Sequence, residues 1–234
     1  MSEMTTAQAA EILQVTQRQV ARLTASGQLV ATRRIGRAWL LDAASVHRLA
    51  QQPRRQGQPW SARIAWAALA ALSGTDPRWI TSSERTRMMH RLRRTDIDDL
   101  LYLASRRARI LRFRAHRSAL DELSTWVVPT GAFALDDARR RTFGLTTAET
   151  DLDGYIGSDT VDSAIDQFGL IEDPAGTVTL RVVTEEHAFT GGTTPQAAVA
   201  LDLAESLNSR ERSAGRGQLA SHMKGIRHVG HRPM

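Results

Sequence analysis

The chain has 234 residues, of which 41 % are hydrophobic and 24 % charged, with a mean hydropathy of −0.32; this composition excludes a disordered chain. Its longest apolar run, Ile64–Leu72, is about half of the roughly 20 residues that a membrane span needs. With no apolar leader at the start, a cytoplasmic protein with no membrane partner is expected. Zero cysteines exclude disulfides, thiolate nucleophiles and Cys-ligated zinc.

The net charge is +6, and Lys224 is the only lysine among 31 basic residues. The charge is unevenly spread. Residues 1–60 carry a net of +5, 61–120 a net of +8, 121–180 a net of −9 and 181–234 a net of +2. A basic front half joined to an acidic segment suggests a part that meets nucleic acid and a part with another task.

Taken in chain order, Thr5 or Thr6 caps a first helix with Ala9, Ala10, Ile12 and Leu13 inward. After the turn Gln14-Val15-Thr16, a second helix spans Gln17–Ala25, with Val20 and Leu23 inward and Arg18 and Arg22 on one exposed stripe. Gly27 ends it in the left-handed conformation where glycine is least penalised. Leu29–Ile35 and Ala38–Leu41 alternate as two strands around a Gly36-Arg37 turn, and Asp42 caps a last helix over Ala43–Gln51. Gln51–Pro59 has two prolines, one glycine and no apolar residue, and reads as a linker.

Beyond it, Trp60–Ser73 is an alanine-rich helix with one apolar face. Ser82 or Ser83 is placed to cap a basic helix reaching Arg94, and Thr95 to cap another beginning near Asp96. Arg109–Arg114 alternates as a strand, Ser118–Leu123 reads as a short helix and Trp126–Pro129 as a strand. Ser158 or Asp159 caps a helix to about Phe168, Gly169 ends it, Asp173–Gly176 is a turn, and Thr177–Val183 alternates as a strand. Helices over Pro195–Leu207 and Arg210–Met223 follow. The expected fold is mainly α with small β elements (α+β): a winged helix-turn-helix over 1–52, a linker over 53–59, a basic helical and strand region over 60–145, an acidic-to-mixed region over 146–224 and a flexible tail over 225–234. Residues 60–224 are also compatible with one domain.

The order helix, turn, helix, two-stranded wing, helix resembles the small winged helix-turn-helix of the excisionase and MerR-type families. The matching runs are Met4–Leu13, Val15–Val20, Ser26–Leu29 and Arg34–Trp39. The resemblance implies that the second helix enters the major groove and that the wing lies along the backbone or minor groove. Thr16, Gln17, Arg18, Gln19 and Arg22 thereby become groove contacts, and Arg33, Arg34 and Arg37 wing contacts. The chain departs from the family at Gln14, where glycine is common, and at Ala21, where an aromatic ring is common. Independently of any family, arginine and glutamine on one helix face offer the bidentate groups that read guanine and adenine edges.

The stretch Arg109–Leu123 with Val127–Ala132 is similar to the middle of AbiEi-type antitoxins, as are Gly154-Tyr155, Gly176–Val182 and Val199–Ala204 to their C-terminal domain. That similarity implies an autorepressor encoded beside a nucleotidyltransferase-type toxin, with the toxin as a second partner. The alternatives are an excisionase-like accessory factor, or a protein that neutralises its toxin directly through the acidic stretch 136–173. Homodimerisation is a further expectation, since a single small winged domain binds weakly.

The row Arg106, Arg107, Arg109, Arg112, Arg114 and Arg117 is open to two readings, a nucleic-acid groove or a solvated strand face. Asp151-Leu152-Asp153, near Gly157-Ser158, is a candidate carboxylate pair for two-metal chemistry, but Asp153-Gly154 reads as a turn and no further carboxylate completes a site. His222, His228 and His231 are too loosely spaced for a specific metal site. No catalytic residue, metal or cofactor is expected, and the chain is read as a regulator rather than an enzyme.

Overall fold

The computed structural model describes residues 3–25, 27–35, 38–50, 58–136, 140, 151–185, 188–206 and 208–229. The fold is α+β. It begins with a small unit of β1 (Glu3–Thr5), α1 (Thr6–Leu13), α2 (Gln17–Ala25), β2 (Ala31–Ile35), β3 (Ala38–Asp42) and α3 (Ala43–Ala50).

Both leading helices start with the same device. Thr5 accepts a hydrogen bond from the Gln8 backbone N–H while the Gln8 side chain accepts from the Thr5 N–H. Thr16 and Gln19 repeat this reciprocal pair, at 3.2 and 3.0 Å. Each box supplies partners for N–H groups that the first turn leaves orphaned. Between the helices Gln14 adopts φ 53° and ψ 44°, the one left-handed non-glycine among the described residues. Gly27 takes φ 74° after α2, as its position requires.

The sheet has order β1-β3-β2, with antiparallel pairing throughout. The first strand is too short to show in the sequence pattern, so a two-stranded wing is in fact three-stranded. Met4, Ala9, Ala10, Val20, Leu29, Leu41 and Val46 form its core. Ile12 departs from expectation and is exposed, on the rim of a cleft against the rest of the chain. Asp42 caps α3 as expected, accepting from the Ser45 N–H at 2.8 Å.

After the linker, α4 (Ala62–Leu72) is capped by Ser61 and is buried on every side, from Ala65 through Ala70, rather than on one face. A helix without a polar face belongs inside a core. Trp66 lies at its centre, donating from Nε1 to the Arg107 carbonyl at 3.0 Å. The cap of α5 (Ser82–Leu92) is Thr81, not Ser82 or Ser83; its box partner Glu84 is pushed down to about 2 by the Thr81 backbone and side-chain donors and then by Arg63. For α6 (Ile97–Leu103) the cap is Asp96, accepting from Asp99 at 2.6 Å, while Thr95 is buried and donates to Arg91 O.

A second sheet has order β5-β6-β8-β4-β7, from β4 (Arg109–Arg114), β5 (Val128–Pro129), β6 (Leu152–Gly157), β7 (Ile171–Glu172) and β8 (Val178–Val183). Helix α7 (Leu120–Ser124) precedes β5, and α8 (Val161–Gln167) lies between β6 and β8, which run parallel. The sheet thus joins β4, from the basic region, to β8 and β6, from the acidic one. Leu152, Ile156, Phe113, Val178, Leu180 and Val182 form its apolar face, packed with Leu123, Val161 and Ala164. By the strand period of two, Asp153, Tyr155, Thr179, Arg181 and Arg112 lie on the other face. That face meets α9 (Gln196–Glu205), which packs on α10 (Ser209–Val229). The pair is close: a Cβ at Gly215 of α10 would lie 2.5 Å from the Ala200 carbonyl oxygen. Helix α10 runs through Val229, so residues 225–229 are helical rather than a frayed tail. No helix among the described residues is long and apolar enough to cross a membrane.

Candidate nucleic-acid interface

Of the eight residues expected to touch DNA, Arg37 lies outside the described residues. Gln17, Arg18, Gln19 and Arg22 are exposed on α2, which Val20 anchors from beneath at 0 % exposure. Arg18 and Arg22 stand one turn apart with no carboxylate partner among the described residues, so both forks remain available. Thr16 and Gln19 also have a structural role. The Thr16 hydroxyl donates to Gln19 Oε1 and accepts from the Gln19 N–H, so both side chains hold the start of the helix. Only the amide nitrogen of Gln19 is left to face a base.

The wing divides similarly. Arg33 is bound to Glu3 of β1 through Nε at 2.9 Å and Nη2 at 2.8 Å. Hydrogen bonding to Arg33, then to Thr32, lowers the Glu3 carboxyl, while the same bond raises Arg33. Its charge is therefore largely answered within the protein. The Arg34 guanidinium sits 5.3 Å from the Trp39 ring centroid, a cation–π arrangement that fixes its stem and leaves its N–H groups outward. Beside it Ile35 is 55 % exposed, an unusual place for isoleucine unless something covers it.

The arginine row of the second region does not form one surface. Arg106, Arg109, Arg114 and Arg117 are exposed, but Arg107 is buried at 3 % exposure and Arg112 is partly buried. Arg107 belongs to a network the sequence did not reveal. Its Nη2 meets Asp202 Oδ1 and Glu205 Oε2, both at 2.5 Å, and its Nε donates to Tyr155 Oη at 3.3 Å. Asp202 Oδ2 accepts from Thr130 Oγ1 at 2.5 Å and Tyr155 Oη at 2.7 Å. Arg181 pairs with Asp153 through Nε and Nη2, at 2.7 and 2.9 Å.

Burial alone would neutralise these groups, but their partners prevail. Arg181 and Arg107 hold the Asp202 carboxyl below its ordinary range, and Glu205 and Asp202 help hold Arg107 above its own. Asp153 therefore lies within an interior strand, not a turn, and its carboxylate is paired with Arg181. Among the described residues no cluster of three or more His, Asp or Glu side chains is arranged to hold a metal. Asp159 accepts from the Thr160 hydroxyl instead of capping α8. One sign of the network was available: Asp202 stands in an otherwise apolar stretch, Ala197–Ala204.

The family model of a helix-turn-helix domain matches residues 3–54. No curated protein and no solved structure matches the chain. The N-terminal unit is thus a helix-turn-helix domain, which belongs to the class of DNA-binding folds and agrees with the excisionase-type reading.

Proposed function

We propose that the chain is a sequence-specific, non-enzymatic DNA-binding regulator that reads bases through Gln17, Arg18 and Arg22 and grips the backbone with Arg34 and Arg37. The observation that carries this reading is the pair Arg18 and Arg22, exposed on the second helix of a helix-turn-helix and without an ion-pair partner among the described residues. Truncating a bidentate guanine contact costs about 1–3 kcal/mol and relaxes specificity, whereas losing a phosphate contact weakens all sequences alike. Fluorescence anisotropy of the full-length protein tests this, using the DNA upstream of its own gene and a scrambled duplex at several salt concentrations. Tighter binding to the native duplex at physiological salt is expected. Equal, steeply salt-dependent binding to both would reduce the unit to a generic basic surface.

The finer reading, an autorepressing antitoxin, rests on the resemblance of the second half to AbiEi-type proteins. One observation favours a direct protein partner as well. Asp121 and Glu122 of α7 and Asp162 and Asp166 of α8 are exposed, and Gln167 donates to Glu122 at 3.3 Å, tying the two helices together. Such an acidic face would steer a basic partner. Pull-down of a co-expressed neighbouring toxin by full-length protein checks it, with Asp162→Asn/Asp166→Asn as the variant expected to lose capture.

A further inference from the structure

Residues 78–94, in and around α5, hold six arginines and one histidine against a single carboxylate, Glu84. Met88 and Leu92 are buried and seat the helix on the core. At about 100° per residue the opposite face carries Ser83, Thr86, Arg87 and His90, and Arg93 and Arg94 continue it beyond the last turn. All six are exposed, as is Arg78 in the turn before the helix.

Elsewhere in this part of the chain arginines are met by carboxylates. Arg63 pairs with Glu84 at 2.7 Å, Arg85 with Asp76, and Arg216 with Asp98 at 2.8 Å, while Arg107 and Arg181 are enclosed in the buried network. Arg78, Arg87, Arg93 and Arg94 differ. Among the described residues their side chains have no hydrogen bond and no ion pair. The acids nearest in sequence are engaged otherwise: Glu84 closes the cap of α5 and holds Arg63, and Asp96 caps α6. Asp96, Asp98 and Asp99 line the large cleft against the helix-turn-helix unit, which no residue of α5 lines. Complementing the helix dipole accounts for cations at the end of α5, but not for Arg87 at its middle or Arg78 before its start.

We propose that the outward face of α5, with Arg78, Arg93 and Arg94, is a second nucleic-acid surface that grips the phosphate backbone without reading sequence. Unpaired guanidinium forks match phosphate oxygens, and that attraction needs no contact with a base. A membrane surface is not what this helix is built for. A helix that lies on lipid buries an apolar face there, whereas Met88 and Leu92 already face the core. The exposed large hydrophobics among the described residues are Ile12, Ile35 and Ile171, none of them on α5. The choice of DNA as the partner rests on the helix-turn-helix domain in the same chain. The grip on phosphate does not depend on whether α2 reads bases.

Fluorescence anisotropy of the full-length chain on a scrambled duplex, across a salt series, tests the surface. Arg87→Gln/Arg93→Gln/Arg94→Gln should bind roughly tenfold more weakly or worse. It should lower the slope of log affinity against log salt by about 2 to 3, at about 0.9 for each lost phosphate contact. Lysine at the same three positions should restore most of both, because the backbone answers to charge. Arg106→Gln/Arg109→Gln/Arg114→Gln removes equal charge from exposed positions outside α5 and should have a much smaller effect. Three results would each overturn the surface: a wild-type slope in the α5 glutamine variant, no recovery with lysine, or an equal loss in the control. Co-sedimentation with phosphatidylserine vesicles that the α5 glutamine variant loses, while its duplex binding persists, would assign the face to a membrane and overturn it too. The preference for native over scrambled duplex is a separate readout. Its absence in the wild type would defeat base reading by α2 and leave the α5 result standing, whereas no binding to either duplex would overturn both.

Discussion

Arg18 and Arg107 carry the same guanidinium into opposite surroundings. In the helix-turn-helix unit Arg18, Arg22 and Arg34 point outward, with no carboxylate within reach among the described residues. In the larger sheet-bearing part, Arg107 and Arg181 are buried and enclosed by Asp153, Asp202, Glu205 and Tyr155. Around the first set the charge is available to a partner. Around the second it is cancelled by the fold and joins α9 to the sheet. A count of arginines along the sequence treats them alike, and only the carboxylates that the topology brings near separate a binding surface from an internal clamp.

The contrast breaks first at Asp202. Asp202→Asn leaves Arg107 and Arg181 buried with too little negative charge and should cost about 3–5 kcal/mol in urea denaturation. A loss below about 1 kcal/mol would mean that the network is not a clamp. Next in size is Arg18→Ala, expected to cost about 1–3 kcal/mol of operator binding while the unfolding midpoint stays within error. If stability fell and DNA binding did not, the two arginine sets would have exchanged roles.

Acid sharpens the same distinction. Asp202 and Glu84 have depressed carboxyls in the folded state, so the unfolded chain takes up protons first as pH drops. The stabilisation from Glu84 is full above its ordinary value of 4.5 and disappears as pH falls towards about 2, and that from Asp202 is likewise full above its ordinary carboxylate range and lost in acid. Urea midpoints at pH 7, 4.5 and 3 should therefore decline in that order. Within the wing, Arg34→Gln should reduce the slope of log affinity against log salt by about 0.9. Arg33→Gln should change it less, because Glu3 already holds that charge. The smallest expected effect is at Gln14, where glycine removes left-handed strain but enlarges the unfolded ensemble. A net gain of about 0.5 kcal/mol in thermal unfolding is expected for Gln14→Gly.

The helix-turn-helix was legible because its signals are local. Thr5 with Gln8, Thr16 with Gln19 and Gly27 each declare a helix end within four residues, and α2 and β4 have the bounds that the sequence pattern implies. Strand β6 was hidden for a definite reason. Asp153-Gly154 has the composition of a turn, and only a parallel neighbour 26 residues on, Leu152 against Val178, makes it a strand. The network was hidden likewise, since Arg107 and Asp202 are 95 residues apart. Thr16 and Gln19 show the converse hazard: residues of the right chemistry on the right helix can already be occupied in building it.

The close crossing at Gly215 has a reach beyond packing. Helix α9 carries Asp202 and Glu205, and its distance from α10 is set where Gly215 meets Ala200 and Ala204. A methyl group there collides with main chain rather than with a side chain that could swing aside, so the helices must separate. Moving α9 draws the two acids away from Arg107 and Arg181. An uncharged substitution at a position that touches no ion would thus be felt as an electrostatic fault, and Gly215→Ala is the natural place to seek a heat-sensitive allele whose defect is eased by salt.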